Sequence, residues 1–177
     1  MTPLKNIDSV KSLRNKIANK NHFADRIPGV YRWWFKKGSI TNLPQDTNIE
    51  EQNIEGEIYQ ALYFGISKDL YARIKWHITQ KHTQSSVKSG YLSTLRQTIS
   101  AIFGIYMSKS QEEVNDFIDK NCYLEWEEIG TFNKVKQIET SELQNRNYNY
   151  PLNISENKST PREYTKDLKG KRKKYKK

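Results

Sequence analysis

Two short runs of β-forming residues constrain this chain more than any other feature of its sequence. The first, PGVYRWWF at residues 28–35, begins with a Pro-Gly turn, and the second, ALYFGIS, spans residues 61–67. Successive side chains of a strand point to opposite faces, so the second run predicts Tyr63 on the face opposite Leu62 and Phe64. The two runs are close enough in sequence to pair, and they predict two neighbouring strands.

The remaining pattern predicts a mixed fold in which helices flank a small sheet. A third strand is predicted at residues 122–130, CYLEWEEIG. Apolar residues recur at helical spacing in these ranges: 8–20, 69–82, 91–107, 110–121 and 132–145. The fold class is therefore α/β (α+β), with a small three-stranded antiparallel sheet, and we expect residues 36–58 to form a long loop or an elaborated hairpin.

The positive charge of the chain is concentrated at its C-terminal end. KGKRKKYKK, residues 169–177, holds seven Lys or Arg and no acid, so without it the net charge falls by seven from +10 to +3. Such a dense block of like charge is typical of a solvated tail, and it attracts polyanions, nucleic acid first, through counterion release. A solubilising or loosely attractive tail and a specific binding arm are both open interpretations.

Several classes of protein are disfavoured by what the sequence lacks. A single cysteine, Cys122, allows no intrachain disulfide. No run approaches the roughly 20 apolar residues of a membrane span, and the N-terminus has no apolar core of the signal type. We therefore expect a cytoplasmic protein that does not interact with a membrane.

Polar residues capable of acid–base or phosphate chemistry follow the first two predicted strands in a distinct order. GVY ends at Tyr31, YFG begins at Tyr63, Arg73 comes ten residues after Tyr63, and His77 comes four residues later. One helical turn separates Arg73 from His77, so the two side chains share one row beside the apolar residues of the helix. Taken singly, each tyrosine is typical of a strand core and the Arg–His pair is typical of a solvated helix face.

This order of residues resembles the GIY-YIG nuclease family, whose two signature tripeptides lie on neighbouring strands and whose arginine lies on the following helix. The run YFGISKDLYARI resembles the family's YIG-x-S-x-x-L-x-x-R-I pattern, and QIETSEL…YPLN, residues 137–153, resembles its glutamate helix and Pro-x-Asn turn. PGVYRWW and YLSTLRQTISAIF are similar to a bacterial subgroup with stand-alone or restriction-type members. The resemblance covers about residues 27–157 and implies a GIY-YIG-like nuclease domain there. An N-terminal amphipathic helix extension, residues 1–26, precedes this domain, and a polar, basic tail, residues 158–177, follows it.

Two features depart from the family pattern. Tyr31 and Tyr63 are 32 residues apart, which exceeds the separation in a minimal family domain, so residues 36–58 would be an insertion at the hairpin. The family often has lysine three residues after the second tyrosine, where this chain has Ile66. Assistance by a lysine at that position is therefore not expected.

The resemblance implies a metal-dependent endonuclease that hydrolyses DNA by direct attack of water. It implies that Tyr63 acts as general base, that Arg73 clamps the phosphate, and that His77 holds the phosphate or exchanges a proton. Tyr31 would complete the hydrogen-bond network. A free tyrosine has a pKa near 10, so its ionisation at pH 7 costs about 4 kcal/mol, and nearby cations must offset much of that cost.

The same resemblance implies one divalent cation, Mg²⁺ or Mn²⁺, held by a carboxylate of the last predicted helix. Glu139 follows the apolar Ile138 and precedes Leu143 by four residues, as the family's glutamate tends to do. Glu142 is the rival ligand. Asn153 of the PLN turn is expected to fix the turn rather than to take part in the chemistry.

Basic residues outside the motif are candidates for binding DNA, the expected partner. They are Arg96, Lys75 and Lys81, together with Lys171, Arg172, Lys173 and Lys174 of the tail. Arg96 could equally form the polar edge of a buried helix. His22 and His82 lack such a context and are expected at the surface. Deletion of residues 169–177 is expected to weaken DNA binding and to leave cleavage intact.

Two other functions stay open. The chain could be a nucleic-acid-binding module in which cleavage is weak or lost, or a nuclease domain that is active only within a larger complex. A homodimer that cuts both strands and a monomer that nicks one strand are also both compatible with the sequence. No small-molecule substrate is expected.

Overall fold

The fold is an antiparallel sheet surrounded by helices, and the computed structural model describes it over residues 3–45, 47–144, 148–154, 157 and 160–176. The strands are β1 (Asn6–Ser9), β2 (Gly29–Lys36), β3 (Glu51–Ile54), β4 (Glu57–Ser67) and β5 (Cys122–Glu128), and their order in the sheet is β1-β5-β2-β4-β3. The helices are α1 (Val10–Ala18), α2 (Leu70–Thr79), α3 (Gln84–Lys88), α4 (Thr94–Ile102), α5 (Gln111–Asn121), α6 (Phe132–Gln144) and α7 (Arg162–Lys174), with a 3-10 turn at Met107–Lys109. Within the described ranges, no helix combines the length and the apolar character needed to cross a membrane.

The sheet has five strands, whereas the sequence predicted three. The two strands that were missed are the edge strands, which lack an apolar pattern. β1 reads NIDS and β3 reads EQNI, each with a single apolar residue. β3 lies inside the predicted insertion and forms a hairpin with β4, to which Glu55 and Gly56 join it. Both linking residues have positive φ, 53° and 87°, the conformation that a two-residue hairpin turn needs and that glycine adopts most readily.

The central strand, β2, is buried on both faces. On one face, Tyr31, Trp33 and Phe35 pack into the larger apolar core with residues of α1, α2, α4 and α5. On the other face, Val30 and Trp34 pack into a second core with residues of β4 and α6. A strand covered on both faces needs a nearly continuous run of bulky residues, which is how β2 reads in the sequence.

A register shift between β2 and β4 changes which residues of β4 share a face. Trp33 pairs with Tyr63, whereas Trp34 pairs with Ala61, so Leu62 lies between the two pairs. An extra residue of this kind disturbs the regular alternation of side chains along a strand. Leu62 and Tyr63 consequently pack in the same core, and the prediction that they lie on opposite faces was wrong.

The basic C-terminal segment is a packed helix and not the solvated tail that its composition predicted. Leu168 of α7 is buried, and the backbone N–H of Met107 donates to the carbonyl oxygen of Tyr175 just beyond the helix (2.9 Å). Arg172 donates from Nη2 to Oε1 of Gln97 on α4 (2.7 Å). Lysine side chains can keep their charged ends in water, so even a strongly basic helix can pack through a few such anchors.

Candidate active site

Helix α2 positions the first group of candidate residues, because its start and its buried row are both well defined. The Asp69 carboxylate caps the helix by accepting a hydrogen bond from the backbone N–H of Ala72 (2.8 Å). The apolar row predicted for this helix is fully buried against the sheet: Leu70, Ile74 and Ile78. This packing turns Arg73 and His77 toward Tyr31 on β2.

The Tyr31 hydroxyl is the centre of a hydrogen-bond network. Nε of Arg73 donates to it (3.2 Å), and Nε2 of His77 lies 2.8 Å from it. Nδ1 of His77 in turn lies 2.6 Å from Oγ of Ser93. A neutral imidazole has one donor and one acceptor nitrogen, so both ring nitrogens have a partner in this arrangement. The network therefore connects β2, α2 and the start of α4.

Burial sets the charge states in this network. The pKa of the Tyr31 hydroxyl is raised by burial and by the neighbouring Tyr63, which together outweigh the opposing effect of Arg73. The pKa of His77 is lowered well below its ordinary value by burial and by the positive charges of Arg73 and Arg96. Burial also lowers the pKa of Arg73, but the tyrosines around it, Tyr31 first, raise it by more. At neutral pH the network is therefore a neutral phenol and a neutral imidazole beside a guanidinium cation.

The glycines of the GVY and YFG tripeptides make room for this arrangement. Gly65 pairs with Tyr31 across the β2–β4 ladder, and a Cβ at Gly65 would overlap the Tyr31 ring at Cζ and at the hydroxyl oxygen. A Cβ at Gly29 would lie 2.5 Å from the carbonyl oxygen of Glu127 and 2.7 Å from Cδ2 of Leu70. A side chain at either position would push Tyr31 or α2 out of place, since protein interiors have little free volume.

A pocket of about 270 Å³ lies against the network, at the meeting point of the sheet with α2, α4, α6 and α7. Its polar lining combines hydroxyl, guanidinium, carboxylate and amide groups: Tyr31, Tyr63, Arg73, Thr94, Glu139, Asn153 and Arg172. Tyr63 has 7% of its surface exposed, and its hydroxyl lies 3.2 Å from Oγ1 of Thr94. Four of the five predicted catalytic residues thus line one pocket.

Of the two candidate metal ligands on α6, Glu139 lines this pocket and Glu142 does not. Glu142 instead accepts a hydrogen bond from the Tyr150 hydroxyl (2.9 Å). Within the part of the chain that the structure describes, no group of three or more His, Cys, Asp or Glu side chains could hold a metal. One carboxylate in a pocket still fits Mg²⁺, which keeps several waters and is commonly bound through one or two carboxylates and oxygens of the substrate.

A comparison with protein families identifies the family to which this chain belongs. The family model of the GIY-YIG catalytic domain matches residues 29–174. The chain belongs to the GIY-YIG family. No curated protein and no solved structure matches it significantly. Membership implies a nuclease with a nucleic-acid substrate, and GIY-YIG nucleases generally depend on a divalent metal.

In this GIY-YIG domain, His77 does not line the pocket, although the family pattern predicted that it could hold the phosphate. Its side chain is fully buried behind Tyr31. Its two ring nitrogens are engaged by Tyr31 and Ser93. His77 therefore contacts the Tyr31 hydroxyl from behind and is separated from the pocket by Tyr31.

Asn153 fastens the PLN turn of the GIY-YIG domain to the sheet. Its side-chain oxygen accepts from the backbone N–H of Phe64, and its side-chain nitrogen donates to the Phe64 carbonyl oxygen (both 2.8 Å). The amide thereby takes the place of a neighbouring strand for this part of β4. The turn runs beside the pocket as a result, in the structural role that the sequence predicted.

Arg96 and His82 are core residues. This decides between the two roles left open for Arg96 and corrects the expected surface position of His82. Arg96 is 1% exposed, and its guanidinium donates to His82 and to two carbonyl oxygens at the end of α2. It therefore forms the polar edge of a buried helix and does not present its guanidinium to DNA. His82, which was predicted at the surface, is buried because Arg96 and the carbonyl oxygen of Met107 satisfy its ring nitrogens.

The other predicted contacts to nucleic acid lie at the surface. Lys75 on α2 and Lys81 beyond its end are exposed. Lys173 and Lys174 of α7 are exposed as well, and Lys171 is partly exposed. As DNA contacts, all five stay predictions.

Arg172 has a place that sequence reasoning missed. The sequence predicts it as one cation of a basic tail, whereas the structure places it in the pocket with Tyr63 and Arg73. The spacing of residues along α7 could have indicated that Arg172 packs toward the protein. The buried Leu168 precedes Arg172 by four residues, so an apolar anchor and a cation share one side of the helix.

Proposed function

We propose that this protein is a metal-dependent endonuclease that hydrolyses DNA phosphodiester bonds by direct attack of water. The observation that carries the proposal is one pocket lined by Tyr63, Arg73 and Glu139, which contribute a hydroxyl, a cation and a carboxylate. Hydrolysis of a phosphodiester needs an activated water, stabilisation of charge on the phosphoryl oxygens and help for the leaving oxygen. The three side chains match these three needs.

Arg73 is proposed to clamp the scissile phosphate. Its guanidinium has five N–H donors in a planar fork, and Tyr31 takes the donor on Nε. The guanidinium carbon lies 4.5 Å from the centroid of the Trp76 ring, a second contact that holds the side chain in place. The other donors of the fork can then meet a phosphate that enters the pocket.

The two tyrosines are proposed to have different roles because their surroundings differ. Tyr63 reaches the pocket and takes the proton of the attacking water as general base, beside the positive charge of Arg73. Tyr31 is fully buried with a raised pKa and stays neutral, so it positions Arg73, and His77 positions Tyr31. Because Tyr63 acts as a base and not as a nucleophile, no covalent intermediate forms.

Glu139 is proposed to hold one divalent cation, Mg²⁺ or Mn²⁺, together with water and oxygens of the substrate. When bound, such an ion stabilises the negative charge that develops on the leaving 3′ oxygen. Glu139 is favoured over Glu142 because Glu139 lines the pocket of Arg73 and Glu142 does not.

Nicking of a supercoiled plasmid tests the proposal. The parent protein should convert the plasmid to its open-circular form with Mg²⁺ and should stop when a chelator is added. Tyr63→Phe, Arg73→Ala and Glu139→Gln should each lower the rate by about 100-fold or more, the typical effect of removing one group that acts on the transition state. Cleavage that survives Arg73→Ala and Glu139→Gln unchanged would refute the assignment. If Glu142→Gln lowers the nicking rate and Glu139→Gln does not, Glu142 is the metal ligand.

A nucleic-acid-binding module without efficient cleavage is the second candidate, and Ile66 favours it. This residue lines the pocket at the position where the family often has lysine. Under this alternative the parent protein would not nick the plasmid, and Tyr63→Phe and Arg73→Ala would bind DNA as the parent does. A nuclease domain that depends on a partner subunit would instead become active when that subunit is added.

A further inference from the structure

One face of α7 is uniformly basic. Lys169, Arg172 and Lys173, with Lys176 just beyond the helix, follow the i, i+3, i+4, i+7 spacing of a single helical face. These four residues, called the basic face below, line a groove together with Gln97 of α4. Among the described residues that line this groove, none is acidic.

The opposite face of α7 mixes both signs of charge. Glu163 and Asp167 lie there, and Nζ of Lys171 forms an ion pair with Asp167 (2.8 Å). Pairs of this kind are ordinary on a solvated helix. The separation of charges onto different sides of one helix therefore distinguishes the basic face from a helix that is merely soluble.

Arg172 connects the basic face to the catalytic pocket, because it lines both. Its Nη2 donates to Oε1 of Gln97, a neutral partner (2.7 Å). Burial lowers the pKa of Arg172, and the nearby Tyr63 hydroxyl partly opposes that effect. A half-buried guanidinium held by a neutral amide is not neutralised by that contact, so its charge is available to an anion that enters the pocket.

We infer that the basic face of α7 binds the sugar–phosphate backbone of the nucleic acid on one side of the scissile bond, with Arg172 contacting the phosphate nearest the pocket. The inference rests on the proposed function, since it assigns the path of the strand that the pocket cleaves. A strand that enters the pocket must leave it across a neighbouring surface, and the groove of the basic face continues from the pocket through Arg172. Ammonium groups on flexible side chains suit phosphate contacts that do not read sequence.

The same geometry changes what removal of the C-terminal segment should do. Deletion of residues 169–177 takes Arg172 out of the pocket and removes Tyr175, whose carbonyl oxygen accepts from Met107. The expectation that this truncation leaves cleavage intact is therefore not supported by the structure. Neutralisation of single exposed lysines separates binding from folding more cleanly.

The test compares two exposed helix lysines: Lys173 of the basic face, and Lys11 of α1, which lines neither the groove nor the pocket. Lys173→Gln and Lys11→Gln each remove one positive charge, and both are placed in an Arg73→Ala background so that cleavage does not disturb the measurement. Fluorescence anisotropy with a labelled duplex of random sequence gives Kd at several salt concentrations. Lys173→Gln should weaken binding and lower the slope of log K against log salt by about 0.9, the value for one lost phosphate contact. Lys11→Gln should bind like the Arg73→Ala parent.

Two further measurements make the test decisive. Thermal unfolding of each variant should match the parent, because both lysines are exposed. Lys169→Gln combined with Lys173→Gln should lower the salt slope by about 1.8. If Lys173→Gln and Lys11→Gln bind alike with the same slope while the parent nicks plasmid DNA, the inference is overturned and the proposed function stands. If the parent does not nick but Lys173→Gln still lowers the slope, the proposed cleavage fails and the basic face stands as the DNA-binding surface.

Discussion

Two arginine–histidine pairs in this protein use the same chemical groups for different purposes. Arg73 donates to the Tyr31 hydroxyl, which His77 also contacts, at the edge of the pocket. Arg96 donates from Nε to Nε2 of His82 inside the core (2.7 Å). Both histidines have a lowered pKa because of burial. The pairs differ in whether the guanidinium has donors left for a substrate.

Arg96 uses its donors inside the protein. Nη1 donates to the carbonyl oxygens of His77 (3.0 Å) and Ile78 (3.3 Å), and Nη2 donates to Oδ1 of Asn115 (2.7 Å). The two carbonyls belong to the last turn of α2, where a helix leaves such groups without a partner of its own. Burial is the main reason why the pKa of Arg96 is lowered to about 9. One arginine thus holds the helix from which the other acts, and residue type alone does not separate the two roles.

The comparison predicts its largest effect at Arg73. Arg73→Ala should lower plasmid nicking by about 100-fold or more, since the guanidinium lines the pocket, and it should leave the melting temperature close to that of the parent. Arg73→Lys keeps the charge but loses the planar fork, so it should also be impaired. Single-turnover rates and thermal unfolding measure the two effects. A variant that cuts normally, or that fails to fold, would contradict the catalytic role assigned to Arg73.

Arg96→Met should lower stability and spare the chemistry. It leaves the carbonyl oxygens of α2 and the His82 ring without a donor in the core, at a cost of about 3 kcal/mol in the free energy of unfolding. Urea unfolding measures this cost. Nicking by the folded fraction should stay within about tenfold of the parent, because Arg96 is not a pocket residue. If Arg96→Met loses cleavage while its stability is unchanged, the structural role assigned to Arg96 is wrong.

Gly65→Ala sharpens the comparison, because it disturbs Tyr31, which contacts Arg73 and has no bond to Arg96. The added methyl group overlaps the Tyr31 ring, so we expect a loss of about 1–3 kcal/mol in stability from overpacking. Displacement of the hydroxyl should also lower nicking by about 10- to 100-fold. Gly170→Ala on α7 is the control, since its Cβ would meet no neighbour within 4 Å. Equal nicking by the two variants would show that Tyr31 does not need its present position.

Acid should lower the free energy of unfolding through the histidines of both pairs. In the folded protein, burial lowers the pKa of His77 well below 6.5 and that of His82 to about 4, so both are neutral there. In the unfolded chain they take up protons below about pH 6.5, so the unfolded state binds more protons and stability falls as the pH drops through that value. The slope should reach up to about 1.4 kcal/mol per pH unit for each histidine. Urea unfolding at a series of pH values from 7.5 to 4.5 measures it, and a slope that His82→Gln leaves unchanged would contradict this account.

The sequence predicted those parts of the fold that repeat an apolar pattern. The strands β2, β4 and β5 and the buried row of α2 have such a pattern. β1 and β3 add to the sheet through their backbones while their side chains are mostly polar, so no periodicity marks them. The helix α7 buries Leu168 as its apolar anchor within a strongly charged segment, so composition alone favoured a tail.

In the candidate site, the contacts that are local in sequence were predictable. Tyr63, Arg73 and His77 lie on one strand and the helix that follows it, so spacing alone places the last two on one row. The buried His77 has a hydrogen-bond partner in Ser93, just before α4, which no local pattern reveals. Arg172 reaches the pocket through the packing of α7 on α4, a contact between distant parts of the chain.

The central claim is that Tyr63, Arg73 and Glu139 form one active site while Arg96 supports it from the core. The most direct measurement is the single-turnover nicking rate, per folded molecule and with Mg²⁺, of the parent protein, Arg73→Ala, Glu139→Gln and Arg96→Met. The account predicts a loss of about 100-fold or more for the first two variants and a rate within about tenfold of the parent for the third. Parent-like nicking by Arg73→Ala or Glu139→Gln, or a loss confined to Arg96→Met, would contradict it.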